Sequence, residues 1–462
     1  MSFSAYSEYK NSGFGLFGKV PNSWSIQRLK QVVSPSRPIT YGIVQAGENV
    51  PDGIPYIRPA DMTDESGVKA EETLLKTSIE IAKSYKRSSI LSGDIVCSIG
   101  PSFGKLMMVP DSLEGSNLTQ GTARVAVSQD HIPRFVFWVL KSVESYQQWE
   151  SSVGGATFRA LNLGPLAETF ICVPNRAEQS QIARFLDHET ARIDELIEEQ
   201  QRLIQLLKEK RHAVISHAVT KGLDPAVPMK DSGVEWLGVV PLHWGITQIK
   251  RRCDLITDGA HISPDTESGM YCFVSTKDVS DEGIDFERCL RTSAASYEYL
   301  VKTGCQPAAG DVLFSKDGTI GKTTVVSGDS PKFVVASSLI IIRPERKGLL
   351  PSYLDFLCQS WVISQQVEGF VKGAGLPRLS IQNLTKVVGV FPPFEEQVLI
   401  AEFLHLGGVA TSELASEAWR TMELLKERRS ALISAAVTGK IDVRGWQPPS
   451  SVPTPKLVQE AV

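Results

Sequence analysis

Several stretches of this chain carry residue types that do chemistry in other proteins, and each lacks something that chemistry needs. Gly318-Thr319-Ile320-Gly321-Lys322-Thr323 has the glycines, lysine and hydroxyl of a phosphate-binding loop. The pattern G-x-x-x-x-G-K-[ST] requires glycine at 316, where Lys316 stands. Gly100-Pro101-Ser102-Phe103-Gly104-Lys105-Leu106 repeats the shape without the hydroxyl residue, so both read as one repeated β-turn. Phe391-Pro392-Pro393-Phe394 has the outline of the D/N-P-P-Y/F element in which an Asp or Asn oxygen holds an amine for methyl transfer, but Phe391 offers no oxygen. Gly13-Phe14-Gly15-Leu16-Phe17-Gly18 follows no strand, whereas a dinucleotide-binding turn does. Neither Pro51-Asp52 nor Pro264-Asp265 leads into the acidic-x-Lys strand of a nuclease. No catalytic constellation survives, and the chain reads as non-catalytic.

The elements that position these turns are written twice. Lys10, Ser12, Gly13, Gly18, Val20, Pro21 and Trp24 recur at Lys230, Ser232, Gly233, Gly238, Val240, Pro241 and Trp244. Gly93-Asp94 recurs at Gly310-Asp311, Glu178-Gln179 at Glu396-Gln397, and Ala213 to Thr220 (AVISHAVT) at Ala431 to Thr438 (ALISAAVT). Solenoid repeats have periods of roughly 20 to 50 residues, so a much longer offset marks two tandem domain-plus-helix modules with a pseudo-two-fold axis.

Each module opens with Val-Pro-x-x-Trp and continues through short apolar runs broken by Gly, Pro, Asn and Asp, which read as β-strands and tight turns. Helical patterns are interleaved at Arg134 to Glu150 and Ser352 to Val367, making the fold class α+β. A long helix is expected from about Glu178 to Val219, capped by Asn175. Its heptad seam is Leu186, Ile193, Gln200, Leu207 and Val214, with companions Ile182, Glu189, Leu196, Leu203, Lys210 and His217. The duplicate, Glu396 to Val437, presents Leu404, Thr411, Ala418, Leu425 and Leu432, with Leu414 between. The two helices are expected to pair antiparallel as a coiled coil. Gly407-Gly408 predicts a kink or frayed turn in the second. The expected divisions are 1–177, a first β-rich domain; 178–220, its helix; 221–395, linker and second domain; 396–440, the second helix; and 441–462, a disordered Pro-rich tail.

Composition sets limits. The 462 residues, 42% hydrophobic and 22% charged, are those of a soluble globular protein. No run approaches the ~18 apolar residues of a membrane span, and the opening MSFSAYSEYK is no signal peptide, so a cytoplasmic location is expected. Seven cysteines without C-x-x-C suggest reduced thiols and no metal site. A net charge of −4 argues against coating nucleic acid by electrostatics alone, yet permits a local basic patch.

Together, YKNSGFGLFGKVPNSW and KDSGVEWLGVVPLHW, Tyr56-Ile57-Arg58-Pro59-Ala60-Asp61-Met62, the run Gly310 to Lys322 and the two E-Q-x-x-I-A-x-F-L helix openings resemble the specificity subunit of type I restriction-modification systems. The resemblance covers residues 6 to 442 or so. It implies two target-recognition domains, each reading one half of an asymmetric bipartite DNA site, with the helices setting the spacing. It further implies that two adenine-methylating modification subunits dock on the helices and that restriction (motor-nuclease) subunits join them. S-adenosylmethionine, ATP and magnesium would then belong to those partners, with no cofactor in this chain. The specificity subunit of a fused cleaving-methylating type II system is the alternative. A self-contained enzyme and an adhesive coiled-coil scaffold are the rivals.

Base reading needs Arg, Lys, Asn, Gln, Ser or Thr on loops that reach groove edges. The candidates in the first domain are Arg58, Ser98, Lys105, Asn117, Gln120, Thr157 and Arg159. In the second they are Lys277, Ser315, Lys316, Thr319, Lys322, Ser337 and Arg378.

Overall fold

A computed structural model describes residues 4–63, 65–153, 159–266, 269–280, 283–371 and 378–448. Two compact units divide the chain, and the division runs through both long helices rather than at their ends. The first comprises 1–199 and 421–462, the second 200–420. Each unit thus holds one β-rich domain, the start of that domain's own helix and the end of the other helix. The two domain-and-helix modules follow one another along the chain as expected, and each compact unit draws its second helical segment from the other module.

In the first unit a sheet runs in the order Thr40–Tyr41, Thr122–Val125, Ile95–Ser98, Leu106–Met108, Glu65–Ser66. A second sheet orders Asn117–Leu118, Ile54–Ile57, Lys76–Thr77. The second unit repeats the plan with Cys253–Asp258, Leu339–Pro344, Val312–Ser315, Thr323–Val325 in one sheet and Leu290–Thr292, Tyr271–Val274, Phe333–Val335 in the other. The parallel pairing of Asn117–Leu118 with Ile54–Ile57 recurs between Phe333–Val335 and Tyr271–Val274. The helical stretches expected at 134–150 and 352–367 are each two helices, Pro133–Leu140 with Val143–Val153, and Pro351–Gln359 with Trp361–Phe370.

The repeated dipeptides are joints. Gly93 and Gly310 take φ of +80° and +84°, a left-handed conformation that favours glycine. The Asp94 carboxylate then accepts the Leu91 N–H at 2.8 Å and the Arg37 guanidinium. Asp311 likewise accepts the Ala308 N–H at 2.7 Å and Arg343. Gln179 accepts from the Ile132 N–H at 2.9 Å and donates to the Pro174 carbonyl at 2.9 Å. Gln397 does the same with Leu350 and Pro392 at 2.8 and 2.9 Å. Each glutamine ties a helix start to its own β-domain, leaving no buried amide group unsatisfied there.

The first long helix spans Arg176–Lys221, with Asn175 Oδ1 accepting the Glu178 N–H at 3.0 Å as the expected cap. The second spans Phe394–Val437 and is helical throughout, Gly407-Gly408 included, so the turn there is not frayed. The Thr411 hydroxyl donates to the Gly407 carbonyl at 2.8 Å, adding a bond where glycine weakens the turn. In the first unit Ile182 and Leu186 share a core with Ile433, Ala436 and Val437. Farther along, Arg429 Nε donates to Asp194 Oδ1 at 2.8 Å, so these two segments run antiparallel. In the second unit Ile215, Ala218 and Val219 share a core with Ile400, Ala401 and Leu404.

The seam differs from the expected one by a single residue. The covered positions on the first helix are Leu186, Thr190, Ile193, Ile197, Gln200, Ile204, Leu207, Arg211, Val214 and Ala218. Those on the second are their duplicates, Leu404, Gly408, Thr411, Ala415, Ala418, Met422, Leu425, Arg429, Leu432 and Ala436. Leu196, Leu203 and Leu414, expected inside, are exposed. The doublets Leu196-Ile197 and Leu203-Ile204 offer two apolar choices, and the second of each is covered. Lys210 and His217 also face out. Within Phe394–Val437 an 18-residue window reaches a mean hydropathy of 1.3, enough by length and composition to cross a membrane. Its uncovered side chains include Leu399, Phe403, Leu406, Val409 and Leu414.

The expected disordered tail is packed as far as Pro448. Val443 is fully buried, and Gln181 donates to the carbonyls of Val443 and Trp446 at 3.1 and 2.6 Å. Trp446 stands edge-on to Phe185, with ring centroids 5.3 Å apart. The remainder, 449–462, lies outside the described residues. All seven cysteines are free thiols, six of them buried. Burial pushes the Cys97 and Cys172 thiols up to about 12, so they are poor nucleophiles.

Candidate nucleic-acid interface

In each unit four loops gather at one end of the main sheet, held by the same backbone bonds. The first loop is the repeated turn. Ser98 donates its hydroxyl to the Ser102 carbonyl at 3.0 Å and accepts the Lys105 N–H at 2.9 Å. Ser315 donates to the Thr319 carbonyl at 2.6 Å and accepts the Lys322 N–H at 2.8 Å. Both serines are buried. They were expected to read bases; instead each spends its hydroxyl on shaping the turn that presents its neighbours.

The second loop leaves the edge strand at Gly42 or Gly259. A Cβ there would stand 1.8 Å from the Leu118 carbonyl oxygen, or 2.2 Å from that of Val335, so only glycine lets the chains cross. Ile43 then donates to Leu118 at 2.6 Å and Ala260 to Val335 at 2.9 Å. The third loop answers, with Gln120 donating to Ile43 at 2.9 Å and Ser337 to Ala260 at 3.0 Å. The fourth closes on the turn, where Leu161 donates to Ile99 at 2.9 Å and Leu379 to Lys316 at 3.0 Å.

On this shared frame the expected residues sort clearly. In the first unit Gln120 and Arg159 are exposed, and Arg58 and Lys105 are half-buried. Arg58 forks onto Asp61 at 2.9 and 2.6 Å, while Arg159 pairs with Glu150. Asn117 is buried and accepts the Ser88 hydroxyl at 2.6 Å, a structural role that corrects its assignment to DNA. Thr157 lies outside the described residues. In the second unit Lys277, Thr319 and Arg378 are exposed, and Lys322 and Ser337 are half-buried. Thr276, beside Lys277, donates its N–H to Ser338 Oγ at 3.2 Å, which brings that residue to the same end. Arg378 pairs with Asp317 at 3.1 Å.

Lys316 is the other correction. It is only 3% exposed, and its ammonium bonds Asp258 within the loop frame. A buried unpaired ammonium costs several kcal/mol, so the lysine is committed to its carboxylate and does not reach solvent as placed. Burial pushes the Asp258 carboxyl up, but the bond to Lys316, the Lys316 charge and His261 outweigh it, holding it below its ordinary value. His261 Nε2 lies 2.9 Å from Asp258 Oδ2. Neither Asp258 nor His261 stood out in the sequence, because 58 residues separate Asp258 from Lys316 and no local spacing marks the pair.

A family profile described as the type I restriction modification DNA specificity domain matches residues 23–207 and 244–408. The chain is similar to the type I restriction enzyme EcoBI specificity subunit of Escherichia coli, 31% identical over 179 residues. That match covers 38% of this chain and 37% of the Escherichia coli subunit, well under two thirds of its length. Similarity to the type I restriction enzyme MjaIX specificity subunit of Methanocaldococcus jannaschii is 22% over 461 residues, covering 96% and 98% of the two chains. Among solved structures, one described as the structural basis of complex assembly and conformational transition of the type I R-M system superposes with a TM-score of 0.65. It is 17% identical, and the match covers 90% of this chain and 98% of the other.

Proposed function

Since the chain belongs to the type I restriction-modification DNA specificity family, we propose that it is the DNA-recognition subunit of such a system, reading an asymmetric two-part target with one loop cluster per unit. One observation carries this reading: the two clusters share their backbone bonds and differ in the side chains they present. A common frame with unlike side chains reads unlike half-sites. The matched family and the relatives above are type I systems, which leaves the type II alternative without support.

The long helices supply the remaining parts of this reading. They carry uncovered apolar side chains, Leu196, Leu203 and Leu206 on the first and Leu414 and Trp419 on the second. Exposed apolar side chains along a helix suit protein interaction sites, here for two modification subunits, with restriction subunits joining the assembly. Helix length would set the gap between half-sites. The chain itself is non-catalytic in this account and works in the cytoplasm. S-adenosylmethionine, ATP and magnesium serve the partners.

The test is domain exchange. Residues 21–177 are replaced by the equivalent domain of a related subunit, and the methylated motif of a host carrying the complete system is sequenced. One half-site should change and the other persist. Both changing together would defeat the reading.

A further inference from the structure

Three positions of the shared loop frame carry unlike chemistry in the two units. The edge-strand position is Tyr41 in the first unit and Asp258 in the second, since Tyr41 pairs with Ala123 as Asp258 pairs with Ile340. Three residues on, Val44 and His261 are both exposed. The inner position is Ile99 in the first unit and Lys316 in the second. Ile99 donates its N–H to Gly121 as Lys316 does to Ser338, and both are buried, at 7% and 3% exposed. The frame therefore closes equally well around Tyr, Val and Ile or around Asp, His and Lys. Burying a lysine where isoleucine fits is costly for stability alone. The charged set belongs to what distinguishes the two units.

These groups form a chain from the interior outward. Lys316 holds Asp258, and Asp258 holds His261, whose side chain is 63% exposed. Nε2 and a carboxylate oxygen meet at 2.9 Å only if the proton sits on Nε2. That fixes the ring's orientation and leaves Nδ1 as the nitrogen Asp258 does not engage. Held so, the ring offers Nδ1 to a base edge in the major groove, where as an acceptor it suits the exocyclic amino group of adenine or cytosine and as an N–H donor it suits guanine.

We propose that His261, positioned by the Asp258–Lys316 pair, is a base-contacting residue through which the second unit discriminates one base pair of its half-site. The proposal rests on the reading of this chain as a recognition subunit. Its test is the methylated motif of a host carrying the complete system with His261→Ala, with Asp258→Asn, or with the combined Asp258→Tyr, His261→Val and Lys316→Ile, which copies the first unit.

With His261→Ala, preference for the cognate base at one position of one half-site should fall about tenfold, as for loss of a good base contact. The other half-site should be unchanged. Asp258→Asn should relax the same position, and the triple variant should fold and lose the same discrimination. An unchanged motif overturns the proposal, as does an even fall in methylation at every site, which marks a phosphate contact. An unfolded triple variant also overturns it, because the charged set would then serve the fold. If the parent complex methylates no two-part motif, the failure lies in the recognition-subunit reading instead.

Discussion

Trp24 donates its indole N–H to Glu178 Oε1 at 3.1 Å, joining the V-P-x-x-W turn to the first turn of the long helix. Tyr6 donates to the same oxygen at 2.7 Å, and burial pushes its phenol far up, so it stays a donor. Trp244 and Glu396 repeat the bond at 2.9 Å, with His243 in the place of the second partner. Glu178→Leu leaves two buried donors without an acceptor, at about 1–3 kcal/mol each. The first unit should lose about 2–6 kcal/mol in urea unfolding. Glu396→Leu should cost less, because His243 is exposed to water. Equal effects would show that the second partner is irrelevant.

This joint explains which parts of the fold are legible in the sequence. Val-Pro-x-x-Trp, Gly-Asp and Glu-Gln recur because each closes a hydrogen bond between segments far apart in the chain, and such joints tolerate few residue types. The seam is less legible. Periodicity finds Leu186, Ile193, Leu207 and Val214, but the doublets Leu196-Ile197 and Leu203-Ile204 leave the companion row open to a shift of one residue. The site is the least legible, because Ser98, Ser315 and Asn117 have the chemistry of base readers and are buried. Asp258 and His261 emerge only when the two copies are laid over one another and Lys316 falls opposite Ile99.

The seam correction changes what mutation of its leucines should do. Leu196 and Leu203 are exposed, so replacing both with Asp buries no charge. The double variant should keep its fold, within about 1 kcal/mol by urea unfolding, since surface substitutions usually cost little. It should instead lose co-purification with the modification subunits, whose docking would desolvate the new carboxylates. Unfolding of the isolated chain would mean that these leucines are covered in solution.

Asp258 gives the second unit a particular response to acid. Its carboxyl is held below the ordinary value of about 3.9, so it contributes stability that is complete above that value and fades as pH falls through the lowered one. Asp258→Asn removes the contribution and leaves Lys316 buried without its carboxylate, a loss of several kcal/mol near neutrality. The parent and variant should differ widely in urea unfolding at about pH 7, and the difference should shrink as pH falls through the lowered value and Asp258 takes up its proton. A constant difference would show that the Lys316 pair contributes nothing to folding.

Spacing offers the most direct test of the helices. The chain passes between its two compact units twice, after Glu199 on the first helix and after Arg420 on the second. Lengthening only one helix leaves the other too short, so a seven-residue insertion after Gln200 alone should bulge or destabilise the pair. Matching insertions after Gln200 and after its duplicate Ala418 lengthen both by roughly 10 Å, at ~1.5 Å per residue. Seven residues make nearly two turns, leaving about 20° of rotation, so the covered row of each helix is nearly kept. With DNA rising ~3.4 Å per base pair, the gap between half-sites should grow by about three base pairs while the bases read stay the same. A folded, active double insertion that methylates at the original spacing would show that something other than these helices sets the distance.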